Sequence, residues 1–303
     1  MDFGKVKNID NVDFNLPPDA TGTAAILENR TRVAEPNIYI GCPVWANKPW
    51  VGTLYPPKTP DNKFLYHYTR QFNTIELNVT HYRIPDAKMR STWQENSAEG
   101  FTFCPKVLQE ISHRLLPAGN AQALAEEFFE AIAALSPYLG TAFLQLPPYF
   151  TVHKLNFLQE FLDYVPADVP LAVEFRHPNW FHQNNFEKAA EVLERYKRAT
   201  VITDVAGRRD VLHMRLTTPE AVIRFVGNGL HDSDYTRIDA WVERLRNWLN
   251  SGLETVYFFV HEPDNVSAPE LSQYLIEQLN GRCELQLDAP VFHNIDAEQG
   301  ELF

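Results

Sequence analysis

Short apolar runs rich in β-forming residues recur along the chain, at Ile38–Cys42, Thr74–Asn78, Phe101–Lys106, Thr141–Leu146, Leu171–Arg176, Thr200–Asp204, Val222–Val226 and Val256–His261. Most are separated by stretches of helical periodicity, and strands alternating with helices predict parallel βα units. Asn120 is placed to cap one amphipathic segment, with Leu124, Phe128, Ile132 and Leu135 on a single stripe and Pro137 and Gly140 at its end. Asp234 opens another, whose Ile238, Trp241, Val242, Leu245, Trp248 and Leu249 face inward and whose end is marked by Gly252. Asn185–Tyr196 and Pro269–Leu279 have the same character. Eight such units predict an α/β fold, a (β/α)₈ TIM barrel, as one domain over residues 38–280. The sixth unit is irregular, because only about sixteen residues separate Asp204 from Ala221. Residues 1–37 read as an extended arm, and 281–303 as a tail that packs Leu285, Leu287 and Phe292 on the barrel.

Composition narrows the functional classes. The net charge of −12 over 303 residues argues against non-specific nucleic-acid binding, which needs a basic face, though a local basic pocket could still hold one anion. Cys42, Cys104 and Cys283 are odd in number and widely spaced, which predicts neither a disulfide framework nor a zinc knuckle. The apolar runs are far shorter than the ~20 residues that span a bilayer, and the first residues carry no signal-like apolar stretch. The expectation is a soluble, cytoplasmic protein with no membrane partner.

Polar residues gather where the strands end. Glu76 and Asn78 close the second run, Lys106 the third, Gln145 the fourth and Glu174 with Arg176 the fifth. Asp204 ends the sixth, Arg224 lies in the seventh and His261 ends the eighth. In a βα barrel that end carries the functional site. The loops beyond add Trp45, Trp50 and Tyr55, then His81, Tyr82 and Arg83, then His177 and Trp180, Gly207-Arg208-Arg209-Asp210, and Asn228 with His231. Aromatics interleaved with arginines suit a ring-bearing or planar anionic ligand. The competing reading is a buried ion network that only plugs the barrel top, since buried charges must be paired in any case.

Several of these blocks together are similar to a known family. They are Ile75-Glu76-Leu77-Asn78 followed by Thr80, Tyr82, Arg83 and Pro85; Phe103 and Lys106; Gln145-Leu146-Pro147-Pro148 with Phe150; Glu174-Phe175-Arg176-His177-Pro178 with Trp180; Asp204; and Arg224-Phe225-Val226-Gly227. They resemble the YecE-like group, domain of unknown function seventy-two, an uncharacterised bacterial family of barrel proteins. The resemblance runs roughly from Ile38 to Leu279. It implies a barrel with a rim site built from these blocks, and no particular reaction. Two departures bear on pocket shape. Cys42-Pro43-Val44-Trp45 stands where the family usually has a small residue and glycine before the tryptophan, and His261-Glu262 stands where asparagines often end the last strand.

The leading chemical expectation is acid/base or hydrolytic work on a small phosphate- or carboxylate-bearing ligand, by a hydrolase or lyase. Glu76 or Glu174 would be the base, with Asp204 as a further carboxylate and His177 as proton carrier. Arg176 and Arg224 would be the clamp, supported by Lys106, Asn78, Tyr82, Arg83, Gln145, Trp180, Asn228, His261 and Trp45. Glycoside hydrolysis fits less well, because strands four and seven carry Gln145 and Arg224 rather than carboxylates. A divalent metal would draw on His81, His177, His231 and His261, but no H-x-H or H-E-x-x-H spacing indicates one, so no cofactor is assigned. Cys42 as nucleophile lacks an adjacent base. A reading from another class is a repair-nuclease-like protein. Its Gln299-Gly300-Glu301-Leu302-Phe303 resembles a sliding-clamp docking peptide, with Leu302 and Phe303 entering an apolar groove and Gln299 setting register. A non-catalytic small-anion sensor would use the same pocket.

Overall fold

Eight parallel strands occur among the described residues, each within about two residues of an apolar run: β1 Asn37–Gly41, β2 Thr74–Leu77, β3 Thr102–Pro105, β4 Ala142–Gln145, β5 Leu171–Glu174, β6 Ala199–Asp204, β7 Glu220–Val226 and β8 Thr255–His261. The structure is a computed structural model that describes residues 4, 6, 8–28, 30–182 and 184–293. The helices are α1 Thr21–Leu27, α2 Phe64–Tyr68, α3 Ala87–Asn96, α4 Gln122–Ala133, α5 Leu155–Asp163, α6 Asn185–Arg195, α7 Asp232–Asn250 and α8 Ala268–Cys283. The result is an α/β fold with a mostly parallel sheet. Hydrogen bonding divides the strands into a six-stranded sheet, ordered β1-β8-β7-β6-β5-β4, and a separate β2-β3 pair. Isolated backbone bonds reach across the gaps: Glu76 donates to the Cys42 carbonyl at 3.3 Å, Gly140 to that of Phe103 at 2.8 Å and Val107 to that of Phe143 at 3.0 Å. Gly41 permits the first approach, because a Cβ there would lie 2.0 Å from the Thr74 carbonyl oxygen.

Strand pairing decides which side chains share a face. Phe143, Ala172, Ala199, Val201, Val222, Tyr257 and Phe259 form one buried apolar cluster with Cys104 on the inner face. Larger aliphatic and aromatic side chains on the other strand face pack against the helices. Helix α7 shows the second arrangement: Ile238, Trp241, Val242, Leu245, Trp248 and Leu249 are all buried, as the stripe predicts.

Local details differ from expectation at helix starts. Asn120 is not a cap: α4 begins at Gln122 after Ala121, and no side chain caps it. Asp234 is not the opening residue of α7. His231 is, with its side chain accepting from Ser233, while Asp234 sits at the third helical position and accepts from the His231 N–H at 3.0 Å. The sixth connection is irregular, consisting of helical turns at Ala206–Val211 interrupted by the extended-leaning Arg208. The arm carries α1 and is docked, with the Thr23 hydroxyl donating to the Met214 carbonyl at 2.6 Å and Trp248 Nε1 donating to Asp19 at 3.0 Å. Leu285, Leu287 and Phe292 of the tail pack on the core. Gln299, Leu302 and Phe303 lie outside the described residues.

Candidate functional site

Arg224 is the centre of the polar layer. It lies on the inner face of β7, where its Nε and Nη2 donate to the two oxygens of Glu76 at 2.7 and 3.0 Å, and its Nη1 lies 3.2 and 3.3 Å from those of Glu174. One guanidinium thus joins β2 to β5 through β7, by the planar fork geometry that only arginine offers. Arg176 Nε donates to Glu174 Oε1 at 3.0 Å, and the Thr203 hydroxyl donates to the same oxygen at 2.8 Å. Asn78 Nδ2 donates to Glu76 Oε1 at 3.0 Å, and His261 Nε2 lies 2.9 Å from Glu76 Oε2.

This bonding sets the acidity of both carboxylates. Burial alone would raise them, but the cations outweigh it: Arg176, Arg224 and Lys106 bring Glu174 down to about 2, and Arg224 with His261 holds Glu76 well below the usual range. Both are ionised, saturated with donors and weak as bases at neutral pH. Their work is to position cations, so the plug reading describes these two residues well.

The layer is not sealed. A cavity of about 750 Å³ opens over it, lined by Lys106, Gln145, Arg176, Arg224, Asn228, His261 and the exposed Tyr82. Lys106 differs from the arginines. Its side chain is buried, with Nζ 5.7 Å from the centre of the Phe143 ring, and it makes no hydrogen bond or ion pair among the described residues. Burial and the nearby Arg224 lower it to about 8. Of the three cations at the cavity floor, Lys106 is the one that makes no ion pair among the described residues, while Arg176 and Arg224 are bonded to Glu174 and Glu76.

Eight expected residues do not line this cavity, Glu76 and Glu174 in the layer beneath it among them. Asp204 points away from it because Thr203, not Asp204, pairs with Arg224 across β6 and β7, while Asp204 pairs with the outward Phe225. Its carboxylate is fully buried towards α7, bonded by Arg237 Nη2 and Trp241 Nε1, each at 2.8 Å, and by Arg209. His177 lies outside the cavity lining: its Nδ1 accepts from the Asn179 N–H at 3.1 Å and caps a helical turn. Trp180 is buried between Phe150 and Phe175 and donates to the Phe150 carbonyl at 2.8 Å. Trp45 packs edge-on against Trp93 and Phe103 and shares with Asn78 a separate cavity of about 230 Å³. Arg83 is exposed and lines neither. Cys42 is buried with its thiol pushed up to about 12, unsuited to nucleophilic attack. Among the described residues, no group of three or more His, Cys, Asp or Glu side chains is arranged to hold a metal.

The cavity also recruits residues that the sequence did not single out as site residues. Thr203 enters through strand register, and Gly4, Val6 and Ile9 of the arm line the mouth. His81 lines it too. Its Nδ1 sits 2.7 Å from the Val107 carbonyl and must carry the proton there, leaving Nε2 as an unpartnered acceptor among the described residues. Glu262, next to β8, is buried. Its Oε2 accepts from the Gly229 N–H at 2.7 Å, while its Oε1 has no partner among the described residues. Gly227 makes the room, since a Cβ there would lie 2.1 Å from that oxygen. Burial, with help from Asp234, raises Glu262 to about 7. It is the acid on the cavity wall suited to exchanging a proton near neutral pH.

A carboxyl with a raised folded value binds its proton more tightly when folded. Its contribution therefore weakens the fold as pH climbs from the unfolded value of about 4.3 towards 7. Glu262→Gln is expected to raise the melting temperature relative to the parent at pH 8 and to change it little at pH 4. An equal difference at both pH values would show that folding leaves the acidity of Glu262 unchanged.

Fold and site define a class: an α/β protein whose parallel strands present a charged pocket at their carboxyl ends. The family model described as "Protein of unknown function DUF72" matches residues 39–293, and the chain belongs to that family. It is 30% identical over 261 residues to the Escherichia coli K12 protein YecE, described as a UPF0759 protein, covering 80% of this chain and 92% of that one. Bacillus subtilis YunF is 30% identical over 167 residues, 52% of this chain and 57% of that protein. Solved structures of family members share the fold. One from Enterococcus faecalis has a TM-score of 0.65 at 18% identity, covering 85% of this chain and 98% of that one. One from Thermotoga maritima has 0.63 at 22%, covering 80% and 99%. Among the described residues, no helix is long and apolar enough to cross a membrane.

Proposed function

We propose that the eight strands close as a (β/α)₈ barrel and that its mouth binds a small phosphate- or carboxylate-bearing anion, on which the protein performs acid/base chemistry of the hydrolase or lyase kind. The observation that carries this reading is a cation without an ion pair. Lys106 stands buried at the floor of an open cavity of about 750 Å³ and makes no ion pair among the described residues, Glu76 and Glu174 acting on it only at longer range. A buried charge without a partner costs several kcal/mol unless water or a ligand supplies one, so the site is built to be completed by an anion. Gln145 and Arg176 add donors to the same wall. Glu262 and His81 are better placed than Glu76 or Glu174 to exchange protons, because those two are committed to arginines.

The test is calorimetric titration with inorganic phosphate. A charged hydrogen bond contributes about 1.5–3 kcal/mol, so Lys106→Met should weaken phosphate binding roughly tenfold to a hundredfold. Its melting temperature should stay the same or rise, since an unpaired buried charge is removed. Equal affinity in parent and variant would overturn the reading.

A further inference from the structure

We propose that Lys106 is a nucleophile that captures a carbonyl group, and that the ligand of this pocket is a small anion bearing a ketone or aldehyde, of the 2-oxo acid kind, held as a protonated imine on Nζ. The proposal rests on the anion reading for how the ligand is oriented, and goes beyond it in naming a covalent role and a substrate class.

The surroundings of Nζ are those of an amine rather than of a locked ammonium. The charged groups that face it are Arg224 on β7 and Arg176 just past β5, both cations, with Glu76 on β2 and Glu174 on β5. Those two carboxylates are bonded to the arginines and make no ion pair with Lys106. The β4 side presents the Phe143 ring, an apolar surface. A lysine that only anchored structure would be expected to sit against a carboxylate, which would hold its proton. Lys106 makes no such ion pair, and burial first, then Arg224, disfavours its proton more than Glu76 and Glu174 favour it, which activates the amine. With the group at about 8, roughly a tenth of it is free amine at pH 7, far more than for an ordinary lysine. The cavity provides the space in which a carbonyl carbon can approach, and the positive floor holds the anionic end of the same molecule.

The step balances without an outside oxidant or reductant. The Nζ lone pair forms a bond to the carbonyl carbon, the carbonyl π pair moves to oxygen, and one proton passes from the nitrogen to that oxygen. A further proton on that oxygen lets it leave as water while the nitrogen lone pair forms the C=N bond. Amine, carbonyl compound and one proton thus give a protonated imine and one water. Glu262 on the same wall is the acid whose range suits the proton exchange.

The experiment uses the full chain with pyruvate and, separately, glyoxylate as probes, reduced in place with borohydride and mapped by peptide mass spectrometry. Hydride addition to the imine carbon turns the linkage into a stable secondary amine. The expected result is an adduct concentrated on the peptide carrying Lys106, suppressed at least fivefold by excess inorganic phosphate and absent from Lys106→Arg. That variant removes the primary amine and keeps a cation, and its other lysine peptides should label as they do in the parent. If the parent binds phosphate but gives no adduct at Lys106 with either probe, or labels surface lysines equally, the imine proposal falls while the anion reading stands. If phosphate does not bind but Lys106 is still labelled, the anion reading falls and the nucleophile stands. Neither binding nor labelling overturns both.

Discussion

Arg224→Met is expected to lose about 3–5 kcal/mol of folding stability, because it removes one partner from two buried carboxylates at once. Glu76 and Glu174 are both buried, and Arg224 supplies two of the bonds to the first and both contacts from β7 to the second. Asn78 and His261 remain for Glu76, and Arg176 and Thr203 for Glu174, but the shared positive charge between the carboxylates is gone. The sign with pH follows. Both carboxylates are held low in the folded parent, so their stabilising contribution is present at neutral pH and lost as pH falls through the folded values. In Arg224→Met that contribution shrinks, so the gap between variant and parent should narrow on acidification. Urea unfolding at pH 7 and pH 4 measures it. A loss below about 1 kcal/mol at pH 7 would mean that water, not Arg224, satisfies the carboxylates.

Asp204→Asn is expected to cost a similar amount, about 3–5 kcal/mol, yet to leave phosphate binding unchanged in the folded fraction. Asp204 is fully buried and is the common counter-ion of Arg237 and Arg209, with Trp241 donating to its second oxygen. Arg237 is itself buried, stacked on Phe225 with 4.1 Å between guanidinium and ring centre, and would keep Asp234 at 3.3 Å as its one carboxylate among the described residues, beside the backbone carbonyls of Val226 and position 204 at 3.0 Å. An amide in place of the carboxylate turns one acceptor towards arginine into a donor. The network lies between β6, β7 and α7 on the far side of the strands from the pocket. Unchanged stability combined with lost phosphate binding would return Asp204 to the site and reverse this assignment.

These two residues show how far each part of the molecule could be read in advance. Asp204 and Glu174 look alike in the chain, each acidic and each ending a β-rich run. Only the register of β6 against β7, Thr203 opposite Arg224, tells which of them faces inward. A slip of one residue exchanges the faces, and a single sequence does not display register. His177 and Trp180 stand in a conspicuous block, but their prominence comes from capping and packing at the end of β5 rather than from ligand contact. Glu262 went unrecognised for the opposite reason. Its raised value depends on burial against Gly227 and Gly229, residues thirty-odd positions away along the chain.

What the sequence determined by itself was the number and order of strands, the irregular sixth connection, the amphipathic face of α7, the family, and the fact that ionisable groups gather at strand ends. These follow from periodicity and local chemistry, which act between neighbours in the chain. The tertiary structure alone decided that Arg224 neutralises two carboxylates from two other strands, that Asp204 belongs to the wall rather than the mouth, and that Lys106 makes no ion pair among the described residues. The physical reason is that charge balance and burial are sums over groups distant in sequence, and they take their values only when the strands stand side by side.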